Sequence, residues 1–166
     1  MMTLAENIAA RPTQRMQRVF DAPRALVWRA WTNPEIMVLW LGPVEWPAVS
    51  ASQDLRVGGA WRACLRSPDT GQDLWQGGVY REIVPEERLV FTFKWDESHE
   101  DGPPVDTLVT VEFSDAPDGG TLMDFTHEGL KSEASLTGHR HGWTSTFERL
   151  EAFLARGDAA GDETDQ

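Results

Sequence analysis

The residue in this chain whose type and place best suit chemistry is His127. It ends a period-two run, Thr121, Met123, Phe125 and His127, against Leu122, Asp124, Thr126 and Glu128, so it shares a strand face with apolar side chains. An imidazole there can orient a ligand oxygen or work as an acid or base near neutral pH. The alternative, a structural histidine with both nitrogens satisfied, stays open. His139 and His141 stand two apart in a helical stretch; side chains at that spacing do not face each other, so no metal site is expected. Asp54 and Arg56 share one strand face and suit polar structural contacts. Ser135, Ser145 and Cys64 have no base partner visible in the sequence, so no nucleophile is assigned. Gly58-Gly59 lacks the glycine and lysine spacing of a phosphate loop, and no cofactor is expected.

The elements that must position these residues can be read in order. Met1 to Gln14 reads as a flexible extension, followed by a strand at Arg15 to Phe20. Asp21 suits a helix N-cap, with Pro23 in the first turn and Leu26, Val27, Ala30 and Trp31 on one face. Asn33-Pro34 opens a second short helix over Glu35 to Leu41, which Gly42-Pro43 ends. Strands are predicted around Val49 to Leu55, Trp61 to Arg66, Leu74 to Ile83, Leu89 to Trp95, Thr107 to Phe113 and Thr121 to Glu128. The glycine pair Gly77-Gly78 lies inside a strand and predicts a bend or bulge. Asp118-Gly119-Gly120 predicts a hairpin turn.

The last element is a helix expected from Ser132 to about Ala155, with Gly157 past its end. Its rear half carries Trp143, Phe147, Leu150 and Leu154 at helical spacing and is built to pack. Its front half carries Gly138 and Gly142, which remove volume where a core helix would supply it. A helix that seals one end of a fold and leaves room under the other is the geometry of a ligand pocket.

Composition limits the partners. The 166 residues carry 27 acidic and 15 basic side chains, a formal charge of -12, which opposes binding to nucleic acid or an anionic membrane. Residues 157–166 read as an acidic disordered tail. A single cysteine excludes an intramolecular disulfide, and no apolar stretch reads as a secretory signal or a membrane span. A cytoplasmic protein with one domain over 15–156 is expected. Eight tryptophans and seven phenylalanines supply rings for a core or for a pocket wall.

Four segments carry a family likeness: Phe20-Asp21-Ala22-Pro23 leading to Val27-Trp28; Pro34-Glu35 leading to Trp40 and Gly42-Pro43; Asp54 to Gly59; and His139 to Leu150 around Gly142-Trp143. Gly119-Gly120-Thr121 followed by Thr126-His127-Glu128-Gly129 adds to them. The chain resembles the START-like (SRPBCC, birch-pollen-allergen-like) superfamily, in the group similar to the C-terminal domain of the activator of the 90-kilodalton heat-shock chaperone's ATPase. The resemblance implies an α+β helix-grip fold: a curved antiparallel sheet of about six or seven strands wrapped around a long C-terminal helix, with two short helices after the first strand. It also implies a cavity between sheet and helix that in relatives holds lipids, polyketides or other apolar molecules.

On that frame Trp61, Phe91, Phe93, Val109, Val111, Met123 and Phe125 would form the wall and Trp40, Trp46 and Trp143 the lids. His127 and His139 would be the polar groups. The competing reading, that these side chains simply pack as a core, stays open. Three functions follow: binding of a small, largely apolar molecule; a cyclase, dehydratase or hydrolase using His127; or a protein-interaction module that contacts a chaperone. Self-association to a homodimer through an open sheet edge is a further expectation.

Overall fold

The computed structural model describes residues 2–97 and 102–164, with side chains described as far as residue 156. One seven-stranded antiparallel sheet runs in the order β1-β7-β6-β5-β4-β3-β2. Its strands are β1 Thr13–Phe20, β2 Ala48–Gln53, β3 Ala60–Arg66, β4 Asp73–Val84, β5 Arg88–Trp95, β6 Thr107–Asp115 and β7 Thr121–Glu128. Helices α1 Leu4–Ala10, α2 Arg24–Thr32 and α3 Pro34–Trp40 precede β2, and α4 Glu133–Thr164 closes the chain. This is the α+β helix-grip arrangement that the family resemblance implies.

The alternation of the strands sets which face meets α4. In β7 and β6 every second residue is buried: Thr121, Met123, Phe125 and His127 on one strand, Thr107, Val109, Val111 and Phe113 on the other. The β6–β7 turn works because Asp118 and Gly119 take φ of 64° and 80°, the left-handed region that Asp and Gly tolerate. In β4 a Cβ at Gly78 would fall on the carbonyl of Thr92, so only glycine permits this approach. Nearby the Thr92 hydroxyl accepts from Val79 N–H (2.9 Å) and its carbonyl accepts from Trp61 Nε1 (2.9 Å). The register shift itself falls between Tyr80 and Glu82, a few residues beyond the glycine pair.

Three boundaries differ from the sequence reading. The lead-in over 1–14 contains a helix, because Thr3 caps it by accepting from Glu6 N–H and Ile8 buries against the domain. Residue 23 rather than Asp21 is the N-cap of α2, and it makes no side-chain bond. Helix α4 passes Gly157 and continues to Thr164; a helical glycine costs about 1 kcal/mol, too little to end a helix by itself. The acidic tail expected over 157–166 therefore begins inside this helix, and its last two residues lie outside the described ones.

The core is a ring cluster around Trp31. Its indole lies 4.9 Å from Trp40, 6.2 Å from Phe91, 6.4 Å from Phe125 and 6.2 Å from Phe147, centroid to centroid. Helix α2 thus reaches across the sheet to touch α4, and the rear half of α4 buries Phe147, Leu150 and Leu154 on the same cluster. Burial of large apolar side chains at about 1.5 to 3 kcal/mol each makes this the strongest attachment of the helix.

Candidate functional site

Under the front half of α4 the packing stops. A cavity of about 740 Å³ opens there, between α4, the ends of β3, β4 and β5, and the segment that joins α3 to β2. Leu65, Leu74, Phe93 and Trp95 form its sheet side. Ser135, Gly138, His139, Gly142, Trp143 and Thr146 form its helix side. Pro43, Glu45 and Trp46 form its rim, and Leu130 and Lys131 enter from the β7–α4 connection. An apolar cavity of roughly 150 Å³ accommodates benzene, so this space is ample for a molecule of several rings.

Gly138 and Gly142 both line the cavity, and a Cβ at either would meet no atom within 4 Å. The missing side chains are missing volume. Ser132 starts the helix above them, its hydroxyl accepting from Ser135 N–H at 3.1 Å.

The rim is tied to α4 at three points. Arg149 donates to the carbonyls of Leu39 (3.1 Å), Leu41 (2.8 Å) and Gly42 (2.7 Å), a cation set against the C-terminal carbonyls of α3. Burial lowers the Arg149 pKa. Ser145 accepts from Val44 N–H at 3.0 Å. At the solvent edge His141 Nε2 stands 2.9 Å from Glu45 Oε1, a bond that draws the Glu45 carboxyl below its usual range.

Two indole–imidazole pairs bracket Phe93. Trp143 Nε1 donates to His127 Nδ1 at 3.1 Å. An indole nitrogen can only donate, so the proton of the neutral His127 ring sits on Nε2 and goes to Thr107 Oγ1 at 2.8 Å. Thr107 in turn donates to the Phe93 carbonyl at 2.6 Å. His127 is wholly buried, and burial, then the nearby His139, pushes its pKa well below the ordinary value. The second pair is Trp95 Nε1 to His139 Nε2 at 3.1 Å, with His139 Nδ1 2.8 Å from the Ser135 carbonyl.

One wall residue is different. Gln76 is only 3 % exposed, lines the cavity from β4, and its amide has no hydrogen-bond partner among the described residues. The little surface it keeps is turned to the cavity, so the amide is open to whatever fills that space.

Residues 21–155 match the family described as Activator of Hsp90 ATPase homolog 1-like protein. The chain belongs to that family. Three solved structures resemble this Activator of Hsp90 ATPase homolog 1-like chain over most of its length. A protein from Rhizobium leguminosarum is 31 % identical, with 87 % of this chain and 95 % of that one covered and a TM-score of 0.73. One from Chromobacterium violaceum is 27 % identical, with 86 % and 97 % covered and a TM-score of 0.73. One from Nitrosomonas europaea is 25 % identical, with 89 % and 96 % covered and a TM-score of 0.74. No curated protein matches the chain at a significant level. Among the described residues no helix is long and apolar enough to cross a membrane.

Of the side chains assigned to a pocket from the sequence of this Activator of Hsp90 ATPase homolog 1-like chain, Trp46, Phe93, His139 and Trp143 line the cavity. Val109, Val111, Met123 and Phe125 are fully buried in the ring cluster under the rear half of α4. Trp61 and Phe91 are absent from the cavity's lining and border a second space of about 10 Å³, shared with Trp143. Trp40 is no lid: it is buried, donating to the Ala30 carbonyl at 3.1 Å. His127 sits one layer behind the wall, against Phe93, Thr107 and Trp143, with both nitrogens bonded. Strand alternation tells which face a residue takes but not how far along the strand the core ends. Leu65, Leu74, Gln76, Trp95 and Thr107, the strand-end residues that do line the cavity, carry no signal in a single strand that separates them from core.

Proposed function

We propose that this protein binds a small, largely apolar molecule in the cavity between the sheet and the front half of α4. The observation that carries the reading is the cavity itself, roofed by Gly138 and Gly142 and walled by Phe93, Trp95 and Trp143. Apolar walls with a few polar groups are the usual make-up of a small-molecule site. Two features weigh against the rival readings. The acid–base role needs a free nitrogen on His127, and both are engaged. The interaction-module role needs exposed aromatic anchors, yet Trp40 is buried, Trp28 packs against Phe113, and Trp75, 38 % exposed, lies under the Arg62 guanidinium.

Titration with the fluorescent probe N-phenyl-1-naphthylamine tests the reading. Saturable binding by the wild type, weakened in Gly142→Leu, is the expected result. Equal binding by both proteins, or none by the wild type, would sink it.

A further inference from the structure

Resting on that cavity reading, we infer that Gln76 is the polar anchor of the site and that the ligand is a neutral ring compound presenting a hydrogen-bond donor beside an acceptor, as a lactam or carboxamide edge does. Most other polar groups on the wall are committed. Thr107 accepts from His127 and donates to the Phe93 carbonyl. Thr146 donates to the Gly142 carbonyl at 2.7 Å, and Lys131 donates to the Gly102 carbonyl at 2.9 Å. Trp95 donates to His139, whose other nitrogen meets the Ser135 carbonyl. Gln76 alone is nine-tenths buried, cavity-facing and without a partner among the described residues.

Its place on β4 fixes where the side chain starts. Gln76 pairs with Ala63 on one side and Trp95 on the other, so the backbone is fixed by two strands and the side chain enters the cavity between Leu74 and Phe93, both of which line it. A carboxamide offers two N–H donors and a carbonyl acceptor in one plane. The complement that satisfies donor and acceptor together is a group with the same two functions side by side. A carboxylate would leave the amide's N–H groups served and its carbonyl facing negative charge.

Three fused bicyclic probes of similar shape separate the possibilities: naphthalene with no polar edge, coumarin with an acceptor alone, and 2-quinolone with N–H beside C=O. Dissociation constants are measured by NMR titration for the wild type, Gln76→Met and Gln76→Leu. Two neutral hydrogen bonds correspond to about tenfold in affinity. The expected result is that either substitution lowers 2-quinolone affinity about tenfold relative to naphthalene, changes coumarin less, and leaves naphthalene binding in place. Retained naphthalene binding also shows that the variant cavity is intact. If naphthalene binds and the 2-quinolone to naphthalene ratio is the same in all three proteins, the anchor is wrong while the cavity reading survives. If no probe binds the wild type, both fall.

Discussion

The indole of Trp143 donates to Nδ1 of His127 at 3.1 Å, so a ring that walls the cavity also fixes the tautomer of an imidazole held in the core. The consequence is a stability role for His127. His127→Ala leaves the Trp143 N–H without its acceptor and opens a void, and is expected to cost about 2 to 4 kcal/mol in urea unfolding. The pH dependence has a definite sign. Because the folded pKa lies below the unfolded value near 6.5, the unfolded chain binds the extra proton first. Stability from this residue is therefore complete above pH 6.5 and declines as pH falls below it, by up to about 1.4 kcal/mol per unit. That slope should be shallower in His127→Gln; an unchanged slope would assign it to other groups.

Arg149 joins α4 to the end of α3 through three carbonyls. Arg149→Met keeps most of the stem and removes every donor, so it should destabilise by about 1 to 3 kcal/mol. Amide exchange of residues 41–46 should quicken more than that of β6 and β7. Uniform quickening across the domain would contradict a local tie.

Gly138 and Gly142 have open space where a side chain would begin. Alanine at either should raise the melting temperature, since the helix gains about 1 kcal/mol per site, with probe binding largely kept. Leucine at either should keep that gain and reduce probe binding. Loss of stability with alanine would show that the space is not there.

The chain has one tyrosine, so its tyrosinate absorbance reports Tyr80 alone. Burial pushes that phenol up to about 12, against the opposing bond from Gln53 Nε2 at 2.7 Å. Native protein should ionise near pH 12 and denatured protein near 10. As pH rises through that window the unfolded chain loses its proton first, and the folded state gives up on the order of 2 kcal/mol. A native transition near 10 would mean the phenol is open to water.

How much of this was legible depends on which interaction writes itself locally. The period-two runs of β5, β6 and β7 fix the face that meets α4, and Gly138 with Gly142 marks where the helix stands clear. Helix α1 was illegible because one buried residue, Ile8, and one cap, Thr3, leave almost no pattern. The strand-end residues of the site were illegible for another reason. Leu65, Leu74, Trp95 and Thr107 meet at one rim only because four antiparallel strands begin or end there, and that meeting point is a property of the register between strands. Gln76 looks like any polar residue in a strand until its neighbours show that nothing answers its amide.

The three ties along the rim fall into two kinds: the His141–Glu45 pair and the Ser145 bond are exposed, and the Arg149 bonds to Leu41 and Gly42 are partly buried. Such a seam opens from its exposed side. A guest passing this way would part the two outer contacts and still find the Arg149 fork closed, so that fork would set the inner edge of the doorway.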